Sequence, residues 1–295
     1  MIMHKISIGR RVFLIFNYTF LIGLGMLCLL PIVHILAVSL SSKAAATAGL
    51  VKLWPVDFTW SSYEYVLQKP QFLKSIGITL QRVVLGTAVN MLFTLLIAYP
   101  LSKEVRQFSF RTVYAWFFVF TTLFGGGLIP TYMTVRDTGL LDTIWALVLP
   151  GAVPVFNVIL LLNFFRGLPK ELEESCFIDG GSYWTSLWRI HAPLSLPAMA
   201  TVTLFTIVGH WNAWFDGLIY INSPEGYPLS TYLQTVIVQE NLTQINPDQA
   251  KTIANVSNRT FKAAQIFIGS LPILLIYPFL QRYFVKGIVL GSVKG

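Results

Sequence analysis

Apolar and polar positions along this chain separate into long blocks. Six runs stay apolar for about 20 residues or more, at about 12–40, 78–101, 112–135, 143–165, 196–221 and 263–285. Such a run crosses the hydrocarbon core of a bilayer as one helix. The pattern predicts an all-α membrane protein with six transmembrane helices in a single domain over 1–295. Spans three and four are punctuated, by Gly125, Gly126 and Gly127 before Pro130, and by Pro150 and Pro154. These residues let membrane helices bend or pack closely. They also suit an unwound segment beside a pathway, where protein or a water cavity satisfies the freed backbone.

The polar blocks between the spans differ in kind. The stretch 41–77 places Trp54, Trp60, Tyr63 and Tyr65 around Pro55, as expected of a strip at the membrane interface. The stretch 222–262 is rich in Asn, Gln, Thr and Pro and is long enough to meet a partner. The stretch 168–197 is a polar, amphipathic island. Glu171, Glu173, Glu174 and Asp179 crowd its front, Gly180 and Gly181 follow, and Pro193 and Pro197 close it. Glu171, Glu174 and Ile178 fall at i, i+3 and i+7, with Phe177, Leu187 and Ile190 supplying an apolar side. Acids at a helix start are favoured by its dipole, and the Gly pair permits a sharp turn. A second short helix over Tyr183–Ile190 runs on to Pro193. The island reads either as a connector on the membrane surface or as a helical handle for another protein.

Composition agrees with a bilayer protein: 55% of the 295 residues are hydrophobic and only 12% charged, where soluble domains carry about 25%. The net charge of +8 follows topology and does not form one basic face for nucleic acid. Twelve of the 21 Lys and Arg fall on the side that holds both termini and the island, among them Lys5, Arg10, Arg11, Lys103, Arg111, Arg166 and Lys170. The other nine are spread over longer loops. The positive-inside rule places both termini and 168–197 in the cytoplasm. Lys5, Arg10 and Arg11 with Ala44–Ala48 imitate a secretory signal, but the apolar run Val12–Leu40 is about twice the usual length. It reads as a retained helix.

Chemistry is sparse. No phosphate-binding G-x-x-x-x-G-K-[ST] loop occurs, nor H-E-x-x-H, G-x-S-x-G or C-x-x-C, so the chain reads as a non-catalytic subunit. Cys28 and Cys176 make no disulfide framework, and His4, His34, His191 and His210 show no metal-ligand spacing, so no metal site is expected. The fifth span carries His210, Trp211, Asn212, Trp214, Asp216 and Tyr220. One reading is an aromatic belt at the interface with a capping Asp. The other is a pathway for sugars, whose apolar faces and polar edges suit aromatic rings beside amides and carboxylates. Asn90 and Asn157, with Asn163, would add polar groups from other spans. Asp216 is the only acid placed within the fifth span. An ion-coupled secondary transporter, an alternative class, lacks the intramembrane charges its relay needs; a membrane scaffold or sensor would not need the island's spacing.

That spacing carries a resemblance. The segment resembles the EAA loop of ABC-importer permeases, E-A-A-x3-G-x9-I-x-L-P, with Glu174, Gly180, Ile190 and Pro193 at the family positions and Asp179 before the glycine. Ser175 and Cys176 replace the two alanines, and Ala192 the leucine. The ending Gly291–Gly295 resembles that of the maltose-type permease subunit. Phe124–Tyr132 and Asn163–Pro169 resemble the subgroup serving oligosaccharides released from polysaccharides. The resemblance implies a type I ABC-importer permease, multi-pass in a bacterial cytoplasmic membrane. Its six helices would pair with a second, homologous permease as a heterodimer. An ABC ATPase dimer would bind ATP and Mg, this chain holding no cofactor, and an extracytoplasmic solute-binding protein would deliver the oligosaccharide. Glu174, Ser175, Cys176, Asp179, Gly180, Ile190 and Pro193 would then make the cytoplasmic coupling helix and its turn. The loop 222–262 is the expected contact for the binding protein, and Gly291–Gly295 would reach the ATPase.

Overall fold

The computed structural model describes residues 8–239 and 258–292, and their regular elements are all helical. In chain order these are α1 (Ile8–Ser39), α2 (Lys43–Thr47), α3 (Ser61–Leu67), α4 (Pro70–Ser102), α5 (Arg111–Leu123), α6 (Leu128–Asp137), α7 (Val155–Arg166), α8 (Glu171–Ile178), α9 (Tyr183–Ser186), α10 (Ala192–Leu194), α11 (Leu196–Asn212), α12 (Phe215–Tyr220), α13 (Leu229–Gln239) and α14 (Asn258–Ser292). Three helical stretches, α1, α4 and Asn258–Pro278 of α14, are each long and apolar enough to cross a bilayer. Three bent pairs, counted as one span each, raise the number to as many as six among the described residues. The expected third span is broken at Phe124–Gly127, where α5 and α6 meet at 112° and Gly127 takes a φ of +85°. The fourth combines one-turn helices over Ile144–Gly151 with α7, bent by 50°. In the last pair an 81° bend turns Tyr183–Leu194 away from the axis of α11, which carries the fifth span.

The described residues form two compact units, one within Met1–Pro70 and Gln239–Leu271 and one within Gln71–Val238 and Pro272–Gly295. In the first, α1 is apolar all round and exposed until its end, where Ala37, Val38 and Ser39 are buried. A helix hydrophobic on every side needs an apolar surrounding. Its buried end packs with Ala45, Ala46, Val51 and Ala263. Ser42 caps α2 by accepting the Ala45 N–H at 3.2 Å, which satisfies a donor that the first helical turn leaves free.

In the second unit, α4 buries two kinds of surface. Toward its C-terminal end, Leu95, Ala98, Tyr99 and Leu101 close a core with Val158, Leu161, Leu162 and Phe165 of α7 and with Leu187. The α7 positions follow i, i+3, i+4 and i+7, one helical face. Further toward its N-terminus, Ser75, Thr79, Arg82, Gly86, Asn90 and Thr94 form a buried stripe of small and polar residues. Between membrane helices, small residues permit close approach and polar ones bond across. Thr79 Oγ1 accepts the Leu229 N–H at 2.7 Å. Arg82 corrects the expectation that the spans lack deep charges: it is 2% exposed within α4. The charge is tolerated because Asp216 is paired with it. At the edge of the unit, Asp142 accepts the Asn222 backbone N–H and side-chain amide, each at 2.6 Å. These bonds hold its carboxyl below the usual carboxylate range and tether the start of 222–262. Residues 240–257 of that loop lie outside the described residues, as do Lys5 and residues 293–295 of the tail.

Candidate functional site

The island builds one helix and a sharply turned second limb. α8 begins with Glu171, Glu173 and Glu174 in its first turn, where the unpaired N–H groups favour negative charge. It ends with Gly180 at φ +80°. The Gly181 N–H donates to the Cys176 carbonyl at 2.8 Å and the Gly180 N–H to the Phe177 carbonyl at 3.0 Å. This pair of bonds is a Schellman closure, with the left-handed residue one place past the C-cap Asp179. Gly180 is therefore required by backbone conformation, a role that side-chain chemistry does not reveal. Gly181 is required by space: a Cβ there would lie 2.5 Å from Cys176 Sγ. Cys176, larger than the family's alanine, is buried against this glycine. Ser175 is exposed, its hydroxyl returned to the Leu172 carbonyl at 3.1 Å.

Ser182 then caps α9 by accepting the Thr185 N–H. The next turn, Leu187–His191, is a π-helix, in which the Ala192 N–H reaches back to the Leu187 carbonyl. Such wide turns re-aim side chains and recur at functional sites. Here the turn places His191 inward, against Tyr99 and Phe165 at ring separations of 4.9 and 5.5 Å. Ile190 is half-buried and Pro193 exposed.

A polar cluster fastens the loop to the ends of the spans. Lys103 Nζ, just past α4, lies 2.6 Å from Glu173 Oε1, which also accepts the Tyr99 hydroxyl at 3.2 Å. The same ammonium lies 3.9 Å above the Tyr99 ring and 3.4 Å from His191 Nε2. With Nδ1–H donating to the Ser186 carbonyl at 3.2 Å, Nε2 is the acceptor, an assignment that rests on the partners. Burial pushes the Lys103 pKa down, with Glu173 acting against it. Burial and the Lys103 charge push His191 down as well. Sequence reasoning missed Glu173, Lys103, Tyr99 and His191 as one site because 88 residues separate Lys103 from His191. Elsewhere on α8, Glu171, Glu174 and Ile178 are exposed, Ile178 at 86%. Beyond the turn, Trp184 and Trp188 are exposed as well.

The second group of candidates lies along α4, α11 and α12. Asn90 and His210 come together, Nε2 and Oδ1 being 2.6 Å apart. The Asn90 amide also donates to the carbonyls of Gly151 and Ala152, at 2.6 and 3.0 Å. Those carbonyls belong to the break in the fourth span, so Asn90 supplies the partner that irregular backbone needs at membrane depth. Gly86 makes room for the His210 ring, which a Cβ would strike. Trp211 is buried, and its carbonyl accepts the Ser230 hydroxyl at 2.6 Å. Asn157 is buried elsewhere, on α7, while Asn212 and Trp214 are exposed. Asp216 is ion-paired with both terminal nitrogens of Arg82 and takes the Gly217 N–H at 2.8 Å. Arg82 further donates to the Ala213 carbonyl at 3.2 Å, across the break between α11 and α12. The signal that would have found Arg82 and Gly86 is the spacing of three and four along the α4 stripe.

Comparison with known proteins gives these features a setting. The family model described as "Binding-protein-dependent transport system inner membrane component" matches residues 90–290. The chain is 44% identical over 293 residues to Protein LplC of Bacillus subtilis (strain 168), covering 99% of this chain and 98% of that one. It is 37% identical to the polygalacturonan/rhamnogalacturonan transport system permease protein YtcP of the same organism, over 97% and 99% of the two chains. Among solved structures, a chain of a bacterial ABC transporter involved in the import of the acidic polysaccharide alginate superposes with a TM-score of 0.87 at 34% identity, over 95% of this chain and 99% of that one. A chain of an alginate transporter in complex with pentasaccharide-bound periplasmic protein shares the fold, at a TM-score of 0.57 and 16% identity over 92% and 93% of the two chains.

Proposed function

The chain belongs to the binding-protein-dependent transport system inner membrane components, and we propose that it forms one half of the pathway of an ATP-driven oligosaccharide importer. It is a permease, a transport component of the inner membrane. In this reading a second, homologous permease completes the pathway, and an ATPase dimer on the cytoplasmic side binds ATP and Mg. A solute-binding protein delivers sugar from outside, with 222–262 its contact. Both termini face the cytoplasm, and Gly291–Gly295 reaches toward the ATPase. Oligosaccharides from acidic polysaccharides are the substrate class, supported by the names of a 37% identical relative and a 34% identical structural neighbour.

One observation carries the mechanism: α8 is closed by the Gly180 turn on one side and fastened by Glu173 to Lys103 on the other. A short helix held this way transmits displacement as a rigid piece. ATP-driven closure of the ATPase dimer pulls on the exposed face of Glu171, Glu174 and Ile178, and the pull reaches α4 and α7 through Lys103, Tyr99 and Phe165. Two global states, each preferred by a different ligand, are what coupling requires. The Asn90–His210 and Arg82–Asp216 groups would hold the broken spans that change between those states. The test is reconstitution with the second permease, the ATPase and the binding protein in proteoliposomes. Uptake of labelled uronate-bearing oligosaccharide that requires ATP and all four components is the expected result. Uptake driven by an ion gradient without ATPase chains would overturn it.

A further inference from the structure

Beside the coupling cluster, a polar cavity of about 550 Å³ opens between the ends of α4, α5 and α7 and the face of α8. Its walls carry four basic side chains, Lys103, Arg111, Arg166 and Lys170, with His191. Three acids oppose them, Glu104, Glu173 and Glu174. Two of the bases are already matched, Lys103 by Glu173 and Lys170 by Glu104. The two arginines are not. Among the described residues neither forms an ion pair with a carboxylate; Arg111 donates to the Lys103 carbonyl at 3.3 Å and Arg166 to the Leu101 carbonyl at 3.2 Å. Arg111 Nε is buried with no hydrogen-bond partner among those residues. The two guanidiniums are also near enough to repel one another. Glu174 is the third acid in the wall, yet the four bases outnumber the acids and neither arginine is paired with a carboxylate, so two guanidiniums held together there make a site for an anion with several oxygens.

A second cavity shares Lys103 and Gln107 in its wall and has the opposite character. It is an apolar groove of about 290 Å³, lined by Leu96, Pro100, Phe108, Trp184 and Leu187. We propose that the two together hold an anionic phospholipid of the cytoplasmic leaflet, its phosphate between Arg111 and Arg166 and an acyl chain along the groove. Basic pockets between span ends on the cytoplasmic side suit such headgroups. The assignment of leaflet rests on the topology under Proposed function; the pairing of arginine cavity and apolar groove does not. The lipid supplies the charge that the protein leaves unmatched beside α8, and so braces the loop at the level of the membrane surface.

The test is lipid retention by the detergent-purified complex, read by native mass spectrometry with phosphatidylglycerol and phosphatidylcholine added in competition. The wild-type complex is expected to keep phosphatidylglycerol, and Arg111→Gln with Arg166→Gln to bind it about thirtyfold more weakly, as two surface basic residues imply. Leu96→Glu, which places a carboxylate in the groove, is expected to release the lipid while leaving soluble glycerol phosphate binding unchanged. Equal retention of the two lipids, or undiminished phosphatidylglycerol binding by the double variant, overturns the proposal. So does loss of the ATPase from the double variant with its lipid retained, which would make the missing anion an acidic segment of the partner. The readout involves no sugar and no uptake, so a failure here is distinguishable from a failure of the transport reading.

Discussion

Lys103 and Glu173 meet at 2.6 Å with side chains only 6% and 13% exposed, joining the end of a spanning helix to the first turn of the loop helix. An ion pair this withdrawn is costly to break from one side, because the survivor keeps a largely buried charge without its opposite charge. The consequence concerns the loop more than the whole fold, since only α8 is fastened there.

Glu173→Ala is expected to weaken the docking of α8 by about 3–5 kcal/mol, while Lys103→Met with Glu173→Leu costs less than either single change. A double-mutant cycle on thermal unfolding, together with ATPase co-purification, reads both effects. Additive losses would mean that the two side chains do not act as a pair.

Gly180 occupies φ +80°, where an L side chain is strained by roughly 1–2 kcal/mol. Gly180→Val is expected to leave the protein inserted but to abolish sugar-stimulated ATP hydrolysis, because a β-branched residue cannot complete the Schellman turn. Gly180→Asn, which tolerates the left-handed region better, should retain part of it. Normal coupled transport by Gly180→Val would remove the turn from the coupling path.

The Arg82–Asp216 pair separates a structural role from a pathway role. Asp216→Ala leaves a buried guanidinium unmatched and is expected to lower the amount of folded protein, by about 3–5 kcal/mol of stability. Arg82→Met with Asp216→Leu should restore folding. If that double variant also transports, Asp216 serves the fold alone. Asn212→Ala with Trp214→Ala, both exposed, is expected to reduce uptake while sparing assembly; unchanged uptake would return these two positions to an aromatic belt.

His191 gives the loop a pH dependence. Its folded pKa lies below the ordinary 6.5, through burial first and the Lys103 charge second. The unfolded chain therefore takes up this proton at a higher pH than the folded one. The stability of the cluster is complete above about pH 6.5 and is lost as pH falls toward the folded value. The thermal midpoint should fall between pH 7.5 and 5.5 in the wild type and fall less in His191→Gln. Equal slopes would show that the imidazole is not part of the network.

Much of the 168–197 loop was legible because its signals are local. Glu174 and Gly180 lie six residues apart, and a helix ended by a left-handed glycine needs only that short stretch to specify it. Breaks in the third and fourth spans were legible in the same way, from Gly125–Gly127, Pro150 and Pro154. Arg82 was not, because a charge inside an apolar run becomes favourable only through a partner 134 residues away. Asn90 was named as a polar group, but its work of holding the Gly151 and Ala152 carbonyls depends on how two spans meet.

The sequence by itself determined which segments prefer lipid, where the loop helix starts and stops, and which family's spacing the loop repeats, since length, propensity and turn chemistry act over a few residues. The tertiary structure alone decided that Glu173 faces Lys103, that His191 turns inward and that Arg82 finds Asp216. A buried polar group is stabilised only by the atoms that surround it, and those atoms are brought together by packing, not by neighbourhood in the chain.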